Sequence, residues 1–138
     1  MKYPINIAPD DNGQYLVTFP DIPEAATAAD TREAALSMAV DALESALDFY
    51  FDGKRQVPAP SKTKRGQASV DLPTTAAAKA MLHNEMLAKG VKKAELARRM
   101  NMAPPNVERI FHAKHATKFE TLESAFAALG KKIEIRVR

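Results

Sequence analysis

The sequence predicts an α+β protein. A small sheet-and-helix module, an antiparallel sheet plus one helix, occupies residues 1–72, and an all-α helix-turn-helix domain with a C-terminal strand occupies residues 73–138. Three observations carry this. The chain up to Phe19 alternates apolar and polar residues on both sides of Asp10-Asp11-Asn12-Gly13, as two strands and a turn do. Residues 93–110, KAELARRMNMAPPNVERI, have the spacing of two short helices meeting at a tight turn. Charge also divides the chain. Residues 1–61 hold Lys2, Arg32, Lys54 and Arg55 against ten acids, and residues 62–138 hold sixteen bases against seven acids, so −6 is followed by +9 within an overall +3.

Tyr3 to Ala8 reads as the first strand, with Tyr3, Ile5 and Ile7 on one face. Gly13 supplies the φ > 0 corner of the turn, and Tyr15 to Phe19 returns with Tyr15, Val17 and Phe19 aligned. Pro20-Asp21-Ile22-Pro23 ends this hairpin, and Ala25 to Ala29 supplies a short third strand. Asp30 followed by Glu33 has the form of a helix N-cap and its N3 partner. Leu36, Val40, Leu43, Leu47 and Tyr50 then form one stripe, flanked by Ala35, Ala39, Ala42, Ala46 and Phe49 and closed by Asp52-Gly53; a stripe of that width suits a sheet. Val57 to Gln67 has the composition of a linker, Pro, Ser, Lys and Arg with nothing apolar to bury. Ala68 to Leu72 is a last strand returning to the first module.

In the second half, Thr74 or Thr75 caps a helix reaching Lys89, which buries Ala78, Met81, Leu82 and Met86 and stops at Gly90. Leu96 and Ala97 belong to the next helix, Ala97 being small where another helix crosses. Asn101 falls at the turn position that needs φ > 0, Met102 plugs the turn, and Val107, Ile110 and Phe111 face inward from the following helix. A plain αα-hairpin shares part of this pattern, but agreement at all of these positions favours the helix-turn-helix. Lys114 to Lys118 is a basic loop, and Phe119 to Leu129 is a helix with Leu122, Ala125, Phe126 and Leu129 inward. The tail from Lys132 to Arg138 alternates strictly and reads as a strand. It joins either the N-terminal sheet or its copy in a second chain. The second is favoured, with Ile133, Ile135 and Val137 as dimerisation residues, because helix-turn-helix proteins usually act as dimers and an unpaired edge invites pairing.

A basic half fits a polyanion, and an acidic half fits a basic protein. In a helix-turn-helix the second helix enters the major groove with its N-terminal residues at base edges. Here these are Ala103, Pro104, Pro105, Asn106 and Arg109. Asn106 suits bidentate pairing with adenine, and Arg109 suits guanine or a phosphate. Pro104 and Pro105 stand where N–H groups have no helical partner, although they also remove donors a phosphate would use. Lys92 and Lys93 before the motif, and Lys114 and Lys118 after it, are placed to hold backbone phosphates; Arg98 and Arg99 either do the same or form a solvated face.

Other chemistry is thin. Asp10, Asp11, Asp21 and Glu24 are the acids a metal-dependent nuclease on an RNase H-like module would use. They lie in turns at the two ends of a hairpin, however, where turn-forming Asp is the simpler explanation. His112 and His115 lack a third ligand, and His83 reads as a helix-surface residue. No nucleophile–base set, Gly-rich phosphate loop or zinc spacing occurs, so no catalytic residue, metal or cofactor is expected. The absence of Cys suits a reducing cytosol. With no signal-peptide run and no stretch long enough to span a bilayer, a cytoplasmic protein without a membrane partner is expected.

The run YPINIAPDDNGQYLVTFPDIPEAATAADTREAALSMAVDALESALDFYF, with the later VPAPS, resembles the HicB antitoxin pattern: strand, Gly turn, strand ending in F-P-D-I-P, then D-T-x-E-A and an Ala-rich helix. GVKKAELARRMNMAPPNVERIFHAKHATKFETLESAFAALGKKIEI resembles the Cro/repressor-like helix-turn-helix of one HicB subgroup. Glu24-Ala25 and Ala28-Ala29 stand where many relatives have small or Gly residues. The resemblance covers nearly the whole chain. It implies that the N-terminal module is a degraded RNase H-like fold without the catalytic acids. The partner it implies is a HicA-type toxin, a small basic ribonuclease with a double-stranded-RNA-binding-like fold and a catalytic His, whose active site the antitoxin covers. Asp10, Asp21 and Glu24 are then the acids offered to the toxin. The resemblance further implies that the C-terminal domain represses its own operon by binding operator DNA as a homodimer or larger assembly. The alternative is a stand-alone repressor with a ligand-sensing N-terminal module.

Overall fold

The first strand divides at Ile5. The computed structural model describes all 138 residues, and in it β1 (Lys2–Pro4) pairs antiparallel with β5 (Ser69–Asp71), whereas β2 (Asn6–Pro9) pairs antiparallel with β3 (Tyr15–Thr18). The segment expected as one strand, Tyr3 to Ala8, therefore serves two sheets. Pro4, which has no N–H to give to a ladder, stands at the division. Ile5 N donates to Ala68 O at 3.0 Å and carries the pairing through it. The fourth strand, β4 (Ala26–Ala29), completes the second sheet in the order β2-β3-β4, with Ile7 opposite Val17 and Val17 opposite Thr27. Val17, Phe19 and Ala29 are buried, while Leu16 faces out.

Helix α1 (Arg32–Asp52) packs across β4 and β3. Its N-cap is Thr31 and not Asp30. Thr31 has the extended backbone of a cap (φ −121°, ψ 156°), and its Oγ1 accepts from Ala34 N at 3.1 Å; Asp30 accepts instead from Gln14 Nε2 at 3.3 Å. The buried face is also turned from the expected stripe. It consists of Ala35, Ala39, Leu43, Ala46, Leu47, Tyr50 and Phe51, with Leu36 and Val40 only half-buried. Close packing favours small side chains where a helix and a sheet approach, and the alanines fill that place.

The 57–67 segment is tied down at its start. Val57 is fully buried, against the expectation that nothing here has apolar surface to bury. The Asn84 side chain bonds both its N–H (2.8 Å) and its C=O (3.0 Å), Tyr3 OH donates to Pro58 O at 2.6 Å, and Asp21 accepts from Ser61 N and Oγ at 2.8 and 2.6 Å. Burial, with the Asp21 charge adding to it, pushes the Tyr3 hydroxyl up to about 12.

Helix α2 (Thr74–Lys89) begins at Pro73. Thr74 is already its first helical residue, so neither threonine caps it; Pro is tolerated there because the first turn has no use for its N–H. Gly90 ends it with φ 66°. Ala76, Ala77, Lys79, Ala80, Leu82, His83 and Met86 are buried. Met81, expected inside, is exposed, and Lys79 and His83 are inside instead. Helices α3 (Lys93–Met100), α4 (Pro104–Ile110) and α5 (Phe119–Ala128) follow. One continuous apolar core takes in both sheets and all five helices. Residues 131–138 belong to neither sheet, so the strand expected for the tail has no ladder partner within the chain. No helix is long and apolar enough to cross a membrane.

Candidate functional site

The turn between α3 and α4 has the conformation its sequence predicts. Asn101 ends α3 with φ 51° and ψ 47°, and its N–H and that of Met102 return to carbonyls of the last helical turn. Leu96 and Ala97 on α3, and Val107 and Ile110 on α4, are buried together. This leaves Pro104, Pro105, Asn106, Glu108 and Arg109 on one exposed face. Arg109 Nη1 donates to Asn106 Oδ1 at 2.9 Å, so the two expected base readers are brought together and pre-oriented by each other. Pro104 and Pro105 offer no N–H, and Asn106 N is already bonded to Ala103 O at 2.9 Å; the helix start has no backbone donor for an anion until Val107, whose N–H also returns to Ala103 O.

The expected phosphate contacts divide into two groups. Lys92 and Lys118 are exposed and take part in none of the chain's six ion pairs. Lys93 is held by Glu108 at 2.8 Å and lies over the Phe111 ring at 5.4 Å, and Lys114 reaches back to Asp41 of α1 at 2.5 Å. Arg98 and Arg99 both bond Glu95, and Arg99 Nη1 also donates to Ala128 O at 3.2 Å. These two guanidiniums hold the Glu95 carboxyl down to about 2, and the arrangement is that of a helix-surface ion network.

Behind α4 lies a seam that spacing did not reveal. Lys79 is fully buried, and its Nζ donates to His112 O at 2.7 Å and His115 O at 2.6 Å. Asp48 Oδ1 accepts from Ala113 N at 3.0 Å in the same loop. Desolvation pulls the Lys79 ammonium down to about 8, and the Asp48 and Glu44 charges oppose that fall. His83, expected on the surface, is buried. Its Nε2 is 2.7 Å from Arg55 O, and its ring meets Phe51 and Phe111 edge-on at 5.0 and 6.4 Å. Burial lowers its pKa.

A family described as HicB_like antitoxin of bacterial toxin-antitoxin system matches residues 2–81, the two sheets, α1 and the first half of α2. Over nearly its whole length the chain is also similar to curated antitoxins. It is 47% identical to Antitoxin HicB 2 of Photorhabdus laumondii subsp. laumondii over 135 residues, 98% of this chain and 95% of that one. It is 41% identical to Antitoxin HicB 1 of the same organism (99% and 87% covered), and 37% identical to Antitoxin HicB of Escherichia coli strain K12 (98% of each). The chain belongs to the HicB-like antitoxin family.

Within this HicB-like region, the acids expected to meet a partner are already engaged with the chain itself. Asp10 Oδ1 accepts from Asn12 N and Gln14 N at 2.8 and 2.9 Å and holds the hairpin turn. Asp21 anchors Ser61. Glu24 accepts from Tyr50 OH at 2.5 Å and from Arg55 at 3.2 Å, and the Arg55 guanidinium lies 4.4 Å from the Tyr50 ring centre. The Tyr50 bond, with Arg55 behind it, lowers the Glu24 carboxyl, and burial together with Glu24 raises the Tyr50 hydroxyl to about 12. Asp10, Asp21 and Glu24 thus hold three separate junctions. The buried ammonium, by contrast, spans the end of the matched region: Lys79 lies inside it, and the carbonyls of His112 and His115 that it bonds lie beyond it.

Proposed function

We propose that this HicB-like antitoxin binds and inhibits a HicA-type mRNA interferase through residues 1–72, a degraded RNase H-like module, and represses its own operon through a helix-turn-helix domain spanning residues 73–138. The observation that carries the DNA-binding part is the α3–α4 corner: a left-handed Asn101, buried Leu96, Ala97, Val107 and Ile110, and an outward face bearing Asn106 and Arg109. That arrangement suits a helix laid in the major groove. The toxin-binding part rests on the family and on charge: the net −6 of residues 1–61, including Asp10, Asp21 and Glu24, complements a basic toxin. Because those three acids are internally bonded, they contribute through their field more than by new hydrogen bonds.

In this reading Asn106 and Arg109 read bases, while Lys92 and Lys118 hold phosphates, joined by Lys93 and Lys114 when DNA displaces Glu108 and Asp41. Two chains pair through Ile133, Ile135 and Val137. The tail belongs to neither sheet, and Ile135 and Val137 are 72% and 89% exposed.

A gel shift on the DNA upstream of the protein's own reading frame, with and without the neighbouring toxin, tests the whole reading. Asn106→Ala and Arg109→Ala should each cost about 1–3 kcal/mol and relax base preference, whereas Lys92→Ala should weaken every duplex alike. Equal losses on specific and random duplexes for Asn106→Ala would remove its reading role. Deleting residues 132–138 should give monomers by sedimentation and leave toxin inhibition intact.

A further inference from the structure

Helix α4 has seven residues, two of them prolines. A helix so short does not hold its own orientation, since helices below roughly 12–15 residues are marginal alone. Val107 and Ile110 seat one face of it. Its C-terminal end runs straight into the 112–115 loop, which is gripped from outside the α3–α5 group. Lys79 of α2 takes the His112 and His115 carbonyls, and Asp48 of α1 takes the Ala113 amide. One grip is cationic and the other anionic, and they come from two different helices of the HicB-like body.

The Lys79 grip is made at a cost. Lysine is almost never fully buried without a partner, and its desolvation is expensive. A Met or Leu would fill the same space on α2 without that penalty. An ammonium has one property those side chains lack here: it donates to two loop carbonyls at once, that of His112, which also accepts from His115 N, and that of His115, and so ties the ends of the 112–115 loop to α2. We propose that Lys79 and Asp48 are positioning residues for the DNA-reading helix: by holding the 112–115 loop they fix the angle at which α4 presents Asn106 and Arg109. The inference rests on the DNA-binding reading above and adds to it that the HicB-like body, and not the α3–α5 group alone, sets base recognition.

The test uses the full chain with Lys79→Met and, because a variant at a buried site can fail to fold, separately with Asp48→Ala at a half-buried one. Affinity is measured on the duplex upstream of the reading frame and on a random duplex of equal length, alongside amide hydrogen exchange over residues 106–115. A tilted α4 loses base contacts and keeps phosphate contacts. The upstream-to-random affinity ratio should therefore fall about ten-fold or more in each variant. The random-duplex affinity and its salt slope should stay within about two-fold. Exchange should quicken over 106–115 and stay unchanged in α1 and β3. Variants that discriminate as well as the wild type overturn the positioning role alone. Equal losses on both duplexes with a lowered melting temperature also overturn it, since that marks a merely structural pair. A wild type that binds both duplexes equally removes the DNA-reading role itself and this proposal with it.

Discussion

The acids of the sheet-bearing half and the polar side chains of α4 are in opposite situations. Asp10, Asp21 and Glu24 each accept two hydrogen bonds from the chain, to a turn, to the 57–61 segment and to the Tyr50–Arg55 pair. The side chains of Asn106 and Arg109 stand on an exposed face and bond only each other. A carboxylate engaged by its own fold is fixed in place and cannot turn toward a partner without losing those bonds, although its remaining lone pairs still accept, whereas a pair bonded at the surface exchanges like for like. Under the proposed function, direct recognition therefore falls to α4, and the acidic half acts through shape and field.

The largest test of this comparison concerns whether the two regions are separable. Phe111 follows α4, is buried, and meets Phe51 of α1 edge-on at 6.1 Å and His83 of α2 at 6.4 Å. Phe111→Ala should cost about 3–5 kcal/mol and lower the midpoint of one common unfolding transition in calorimetry. Two resolved transitions, with only the later helices affected, would show that the halves fold apart.

A smaller effect comes from Lys79 and pH. Its folded pKa of about 8 lies below the ordinary 10.5. Below about 8 the ammonium is charged in both states and its burial cost is fully present. Between the two values the folded chain gives up the proton while the unfolded chain keeps it, so stability relative to Lys79→Met should rise with pH by up to a few kcal/mol. Above 10.5 the difference should level off. Urea midpoints measured across that range check this; a flat difference would mean that the group titrates normally.

The smallest effect separates holding from contacting. Asp21→Ala removes the two bonds to Ser61 and should cost about 1 kcal/mol, while the lost charge lowers toxin affinity by about two-fold at most and only at low salt. A larger fall in toxin affinity that persists at high salt, without a fall in stability, would move Asp21 among the residues that touch the partner.

Elements whose cause is local were legible in the sequence. Alternation marks Tyr15 to Thr18, and Gly13, Gly90 and Asn101 carry positive φ at turns where their chemistry tolerates it; Lys54, at φ 52° just past the Asp52-Gly53 stop, carries it with no such local signal. The α4 face followed from helical spacing alone. What escaped is held by distant partners. Lys79 and His83 lie on an Ala-rich helix where a polar residue ordinarily marks the wet side; they are buried by groups 33, 36 and 28 positions away in the chain. Helical spacing puts Ala78, Met81, Leu82 and Met86 on the inner face; Leu82 and Met86 are buried there, but the face is turned so that Met81 is exposed and Lys79 and His83 are inside. The division of the first strand escaped for the same reason, since alternation names a face and not the neighbouring strand.

That division has a consequence for how the molecule is made. The β2, β3 and β4 strands close on near neighbours, but Tyr3 pairs with Val70, and Met1 O accepts from Leu72 N at 2.9 Å. At roughly 5–20 residues per second on the ribosome, the first strand is finished several seconds before its partner exists. For that interval the nascent chain carries an open edge along β1, and that sheet closes only when the residues leading into α2 emerge. The first strand is thus paired only by the last strand.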